Sequence, residues 1–383
     1  MLGQQHYDVV IAGAGPVGLF MALRLSQLGL NYLILEKRHV RFTHSRSIGI
    51  HPPSLEMLDQ LNISDQLIKQ GVRIEEGHAY QDQHTVLGTL NFKLCPKPHC
   101  YVLSIPQHQT ESILENALPD HKALKKGFEI ITFNQYDHSI QIDFKDEFNS
   151  TQSVEASYLV GCDGKNSTVR KKAGITFQGD IYPYHYAMGD YKDDTQFGSR
   201  AAIFLSGDGL VESFPLPGNK RRWVTELQSG YKECAQEKFL QIIQERTGYN
   251  PNPLNNSTYS TFIAEHFLAS RFYFGRVFLA GDSAHIVSPI GGQGMNLGWL
   301  NAWHLANAMA IARKNEMSGD IIFKTWEKQR MKSAEKAIKR AEFNMALGQK
   351  SNWPRLRGLT IKRLLRYPFN RAIANRFTMR GLN

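Results

Sequence analysis

The sequence predicts an α/β protein built on a parallel sheet of strand–turn–helix units, and three observations predict it. A β-rich hexapeptide, Tyr7 to Ala12, runs into the glycine turn Gly13-Ala14-Gly15-Pro16-Val17-Gly18 and then into Leu19 to Leu25, which has helical character. A second β-rich run, Asn31 to Leu35, ends in the acid Glu36. Two distant segments repeat the device of a strand that delivers a carboxylate at its C-terminal end: Tyr158 to Gly161 ahead of Asp163, and Val277 to Ala280 ahead of Asp282.

Each part of the first unit has a physical reason. The first glycine permits the tight turn, the second lets backbone approach a pyrophosphate, and the third lets helix and strand pack closely. The helix N-terminus offers about half a positive charge to the phosphates, and Pro16 fits the first helical turn, where its missing N–H costs little. Glu36 stands where a carboxylate grips adenosine ribose hydroxyls. Lys37 beside it is a further candidate for nucleotide contact, with surface solvation as the alternative reading. Around Asp163 the run Gly161-Cys162-Asp163-Gly164 is again a strand, a glycine turn and a helix start. After Asp282, Pro289-Ile290-Gly291-Gly292-Gln293-Gly294-Met295-Asn296 is a glycine-rich turn that opens a helix expected from Leu297 to Arg313, with N–H groups able to face an anion.

The 383 residues predict two interlocked domains rather than one. With 42% hydrophobic and 21% charged residues, the composition is that of a folded globular chain. Cys95, Cys100, Cys162 and Cys234 lack the spacing of a disulfide framework or a zinc site, so they are expected to be free thiols and no metal is expected. The apolar stretch Val9 to Leu25 is broken by glycines, which argues against a signal peptide and makes a cytoplasmic location the default. The net charge of +10 is concentrated at the C-terminus, because no Asp or Glu follows Glu342. No nucleic-acid-binding signature accompanies it, so nucleic acid is not an expected partner.

With these residues in view, the chain resembles the single-component FAD-dependent aromatic hydroxylases of the para-hydroxybenzoate hydroxylase type, which include ubiquinone-pathway and polyketide-tailoring enzymes. The resemblance covers essentially the whole chain. Gly13 to Gly18 looks like the family's dinucleotide fingerprint, Cys162-Asp163-Gly164 like its segment serving both FAD and NAD(P)H, and Gly281-Asp282 like its flavin-ribityl segment. By the same resemblance Arg46 is placed near the flavin and pyrophosphate, and Gln107 at the ribityl chain. Pro289 is placed against the flavin face where oxygen reacts, and Gly294, Met295 and Asn296 at the pyrimidine edge. Asn301 departs from the family, where many members carry an aspartate, which implies a local change in hydrogen bonding. His285 is read as structural or flavin-proximal rather than as a general base.

The resemblance implies a Rossmann-type FAD-binding domain with an inserted β-sheet substrate domain and a C-terminal helical tail. The expected division is 1–76, 105–180 and 268–342 for the FAD-binding domain, 77–104 and 181–267 for the substrate sheet, and 343–383 for the basic tail. Expected strands are Tyr184 to Asp190, Ala201 to Leu205, Leu210 to Leu216 and Arg222 to Leu227. Tyr184, Phe204, Phe214 and Trp223 are the candidate substrate contacts, although alternating aromatics also serve as plain sheet core. No base for deprotonating a phenol stands out. The implied activity is hydroxylation of an aromatic small molecule, phenolic or polyketide-like, with FAD as cofactor, NAD(P)H as transient electron donor and O2 as oxidant, through a flavin hydroperoxide. Hydroxylation or epoxidation of an isoprenoid or lipid quinone at a membrane, flavin-dependent reduction, and a non-catalytic FAD-binding scaffold remain open. The tail, with Arg363, Arg366 and Arg371 among Leu359, Leu364 and Phe369, reads either as a helical element packed on the FAD domain or as a peripheral membrane contact, and Pro368 should break it.

Overall fold

In the first of two eight-stranded sheets, six strands run in the order Tyr273–Phe274, Val277–Leu279, Thr151–Gly161, Tyr7–Ala12, Tyr32–Glu36 and Leu124–Lys126, and the other two, Ile140–Lys145 and Glu129–Gln135, branch off Thr151–Gly161 as an antiparallel extension. All neighbours from Val277–Leu279 to Leu124–Lys126 are parallel. The structure, a computed structural model, describes residues 6–40, 47–227, 234–253, 258–314, 319–350 and 353–382. Val9, Val10, Ile11, Leu33 and Ile34 are fully buried, as a parallel sheet covered on both faces requires. In register, Ala12 lies beside Leu35 and Gly161, and Gly161 beside Leu279. The turns after these strands therefore gather at one edge, the place where open α/β sheets bind ligands.

The helix Pro16–Gln27 has Pro16 at its start and packs on the helix Gly294–Lys314, where Phe20 stacks on Trp299 with ring centroids 5.6 Å apart. The Trp299 indole N–H donates to the Pro16 carbonyl at 2.9 Å. The second helix thus starts at Gly294, three residues before the expected Leu297, and takes Met295 and Asn296 into its first turn.

The second sheet runs His285–Ile286, Tyr259–Ala269, Phe177–Lys192, Lys220–Leu227, Gly209–Leu216, Ala201–Ser206, Glu76–Tyr80 and Val86–Asn91. The four expected strands are all present, and the early segment joins through a parallel pairing of Ala201–Ser206 with Glu76–Tyr80. Val102–Ser104 belongs instead to a separate three-stranded sheet with Gly49–Ile50 and Val72–Ile74. Successive side chains alternate between faces. One face buries Tyr191, Phe204 and Trp223 against the helix Gln236–Thr247, which the sequence reading did not foresee. The other face looks onto a cavity.

The tail differs from expectation. Gly319–Gly348 is one helix that runs straight through the expected boundary at 342, and Pro354–Leu364 and Phe369–Phe377 follow, separated at Pro368. These two helices cover the edge of the substrate sheet rather than the FAD-binding sheet: Ile361 packs with Leu87 and Tyr186, and Ala374 with Leu90 and Phe92. Arg357 donates to the carbonyls of Leu205 and Ser206 at 2.7 and 2.6 Å, and Arg380 pairs with Glu56 at 2.6 Å. On the outer side Leu356, Leu359 and Tyr367 are exposed beside Lys362, Arg363 and Arg366. No helix among the described residues is long and apolar enough to cross a membrane.

Candidate active site

The glycine turn is held by close backbone approach. Gly13 has φ +97°, and a Cβ there would stand 2.6 Å from the Cys162 carbonyl oxygen, so only glycine lets the first turn touch the Cys162-Asp163 turn. A Cβ on Gly18 would stand 2.0 Å from the Gly13 oxygen, whereas one on Gly15 would meet nothing within 4 Å. Gly15 therefore opens on the cleft, and Gly18 works through packing. At the rim, one Glu36 carboxylate oxygen accepts from the Ala14 N–H at 2.7 Å, and the other accepts from the Arg38 N–H and Nε at 2.9 and 2.8 Å. Burial raises the Glu36 pKa, but these donors outweigh it and hold the carboxyl below its ordinary range. A ribose diol would compete with the Arg38 guanidinium for the same oxygens.

Asp163 closes the second turn. Its Oδ2 accepts from the Thr168 and Val169 N–H groups at 2.7 and 3.1 Å, while its buried Oδ1 has no partner. Arg170, itself buried, donates to the Ser283 carbonyl at 2.9 Å and the Lys165 carbonyl at 2.7 Å, tying the Asp163 turn to the Gly281-Asp282-Ser283 turn. The Ser283 hydroxyl donates to the Gly161 carbonyl in the same seam.

The third element is the turn before Gly294. Asn296 does not reach the cleft; it accepts from the His51 N–H at 2.9 Å and donates to the Gly49 and Gly292 carbonyls at 2.8 and 3.0 Å, clamping the turn in place. The first N–H groups of a helix have no intrahelical acceptor, and Gly294 and Met295, the first two residues of theirs, both line the cavity. His51 lines the same wall, and burial pulls its pKa down to about 4, which keeps the ring neutral. It was missed because a histidine ahead of Pro52-Pro53 reads as a helix cap. His285 is 1% exposed, packs on Phe272, and lies with Nε2 2.7 Å from the Asn301 amide nitrogen, away from the cavity.

One continuous cavity of about 1140 Å³ joins these parts to the substrate sheet. Gly13, Gly15, Pro16, Val17, Glu36, Lys37, Gln107, Asp163, Gly164, Gly281, Asp282, Pro289, Gly294 and Met295 all line it. Gln107 donates to Glu111 at 2.8 Å from the first turn of its helix. Arg46 lies outside the described residues. Of the aromatic candidates Phe214 lines the cavity, whereas Tyr184 does not. Phe204 and Trp223 require correction: strand parity turns them to the opposite face, where they pack in the core against Phe239 and Ile243. The chamber is instead walled by Met188, Ile203, Leu210, Val224 and Phe262, and closed by Ile361, Leu365 and Phe377 of the tail. Glu212 also lines it.

These residues fit FAD. A glycine turn open at Gly15, an unpartnered buried Asp163 oxygen, free helix N–H groups and a long cavity that passes from polar to apolar walls suit a dinucleotide with a flat redox ring. Among the described residues no cluster could hold a metal ion, and the four cysteines are unpaired.

Fold and site together define a dinucleotide-binding flavoprotein. Residues 6–341 match the family described as FAD binding domain, and the chain belongs to that family, the FAD-dependent aromatic hydroxylases. An uncharacterized aromatic compound monooxygenase of Bacillus subtilis is 31% identical over 317 residues, 80% of this chain and 62% of that one. A 12-dehydrotetracycline 5-monooxygenase/anhydrotetracycline 6-monooxygenase of Streptomyces rimosus is also 31% identical, over 78% of this chain and 62% of its own. The chain thus spans about three fifths of the length of these curated relatives. The structure of a p-nitrophenol 4-monooxygenase from Pseudomonas putida superposes with a TM-score of 0.88 over 98% of both chains at 22% identity, a likeness of fold.

Proposed function

We propose that the protein is an FAD-dependent monooxygenase that uses NAD(P)H and O2 to hydroxylate an aromatic small molecule. One observation carries this reading: the residues of the dinucleotide cleft and those of an apolar chamber line a single cavity, and Pro289, Gly294 and Met295 line it with them. When bound, FAD would supply the reduction of dioxygen at the expense of NAD(P)H.

The chain's own residues have separable tasks in this scheme. The Gly13-to-Val17 turn and the helix behind it take the diphosphate, Glu36 the ribose, and Gln107, Asp163 and Asp282 the polar stretch between the two ends. Gly294 and Met295 offer N–H groups where negative charge gathers on a reduced ring. The apolar walls exclude water and orient a flat substrate, and the tail helices complete that enclosure. The names of relatives that act on phenols and tetracycline-like rings support an aromatic substrate.

The test is aerobic NAD(P)H oxidation by the purified yellow protein, with and without phenols and polyketide aromatics, under isotopically labelled O2. Substrate-stimulated oxidation with one labelled atom in the product is the expected result. Unstimulated oxidation with no label in any product would reject hydroxylation and leave a flavin-dependent reductase or a scaffold.

A further inference from the structure

The substrate sheet presents five charged or titratable side chains to the cavity: His78, Glu212, Arg222, Tyr259 and Glu265. Four are engaged, Tyr259 through its hydroxyl, which donates to the Cys234 carbonyl. Arg222 grips Asp190 through Nε and Nη2 at 2.6 and 2.9 Å, Glu265 pairs with Lys165, and His78 lies 3.5 Å from Glu76 and 3.4 Å from the Tyr80 hydroxyl. Glu212 has no hydrogen-bond or ion-pair partner among the described residues. On its strand it stands between Leu210 and Phe214 on the cavity face, and across the sheet it is flanked by Ile203 and Val224. The tail and the long helix before it contribute Ile361, Leu365, Phe377 and Phe343 opposite, none of them charged. Its accessible surface therefore opens on the cavity, while protein encloses it on every other side.

A carboxyl left without a partner in an apolar chamber is costly unless a ligand satisfies it. Resting on the aromatic reading above, we propose that Glu212 recognises the substrate and accepts its proton: a neutral, hydroxyl-bearing aromatic docks on the sheet face with its O–H directed at this carboxylate, and aromatic carboxylates are refused. In the proton transfer the ring O–H bond breaks, the proton goes to a Glu212 oxygen and the electron pair stays on the ring oxygen. Electron density then rises at the ortho and para carbons, the positions an electrophilic oxygen attacks. Refusal follows because the carboxyls on this face of the sheet without an ion-pair partner among the described residues, Glu212 in the cavity wall and Glu226 behind it with a buried, unpartnered Oε2, both repel negative charge, and the neutral Tyr186 close to both supplies no positive charge to oppose it, so an anionic ring would face repulsion with no cation released to meet it. Burial holds the Glu212 carboxyl up at about 7, which places its ionisation where a general base is effective at neutral pH.

The test is equilibrium binding of three ligands of one shape, 2-naphthol, 2-naphthoate and naphthalene, to the FAD-loaded wild type, Glu212→Gln, Glu212→Ala and Glu212→Asp. FAD content and thermal midpoint verify folding, and Glu212→Asp, which keeps the charge, should retain the naphthol preference. The expected result is a naphthol Kd about tenfold or more weaker in Glu212→Gln and Glu212→Ala, with naphthalene unchanged and naphthoate gaining affinity as the repulsion is removed. Naphthol affinity in the wild type should rise with pH through about 7 and be flat in Glu212→Gln. Equal naphthol binding by wild type and Glu212→Ala, or naphthoate binding the wild type as tightly as naphthol, would overturn this role and leave the hydroxylase reading standing. If the wild type bound neither naphthol nor any aromatic that stimulates NAD(P)H oxidation, both would fall together.

Discussion

Asn301→Asp should change the number of protons the protein takes up on unfolding by about one near pH 5.5. His285 is fully enclosed, and burial pulls its pKa from 6.5 down to about 4. Between those values the unfolded chain binds a proton that the folded one does not, so stability falls as pH drops from 6.5 toward 4. The slope from this one residue is about 1.4 kcal/mol per pH unit, and the full window is worth about 3 kcal/mol. The neighbour of the ring is the Asn301 amide, 2.7 Å from Nε2, which cannot support a charged imidazole. A carboxylate of the same size at that position would stabilise the imidazolium and lift its folded pKa above 6.5, which removes the slope in this window. The new aspartate titrates near 4 or below in both states and contributes little at pH 5.5. His51, His304, Glu212 and Glu226 are also displaced by burial, but they titrate alike in both proteins and cancel in the comparison. Proton uptake is counted with an indicator dye during urea unfolding and does not depend on two-state behaviour, which a cofactor-binding chain of this size need not show. Equal uptake by the two proteins would show that Asn301 does not set the protonation of His285.

Further substitutions separate packing from ligand contact. Gly18→Ala would drive a Cβ to 2.0 Å from the Gly13 oxygen and should lower the thermal midpoint, whereas Gly15→Ala, with nothing within 4 Å, should leave the midpoint of the FAD-free protein unchanged and reduce bound FAD; absorbance at the flavin band and calorimetry read the two effects. Trp223→Ala empties a 1% exposed core position and should cost about 3–5 kcal/mol of stability, while Phe214→Ala, on the cavity wall, should change the KM of a stimulating aromatic with a much smaller stability loss. Arg170→Met keeps the bulk but leaves the Ser283 and Lys165 carbonyls without their donor, and should weaken FAD retention together with urea resistance.

The parallel sheet and its turns were legible because each rests on local chemistry. A strand, a glycine at φ +97° and a helix start are written within twelve residues around Gly13, and the acids Glu36, Asp163 and Asp282 stand at or just past strand ends that read as short apolar runs, Tyr32 to Leu35, Leu159 to Val160 and Val277 to Ala280. The packing role of Gly18 was legible as well, since the third glycine of such a turn lets helix and strand pack closely; the role of Asn296 was legible as a position but not as a contact, because it shapes the turn without facing the cleft, and that depends on which carbonyls fold back onto it. The tail was harder. Its inner residues Ile361 and Leu365 and its outer residues Leu356 and Leu359 have the same chemistry, and only the docking of the helices on Val86–Asn91 decides which pair closes the chamber and which stays exposed.

Strand parity explains the remaining misses together. In Gly209–Leu216, Leu210, Glu212, Phe214 and Leu216 share one face and Val211 and Ser213 the other. Pairing sets Phe204 beside Val211 and Trp223 beside Ser213, so both aromatics must lie with the second set, opposite Phe214. A one-residue change of register would exchange the two faces, and nothing in a strand's own sequence fixes its register when both faces are apolar. The helix Gln236–Thr247 covers one face and the tail helices the other, so neither shows the polar alternation that marks a solvated side. A local sign of the face that opens on the cavity was the acid Glu212, since a carboxyl between Leu210 and Phe214 in a doubly covered strand has no bulk solvent to turn to.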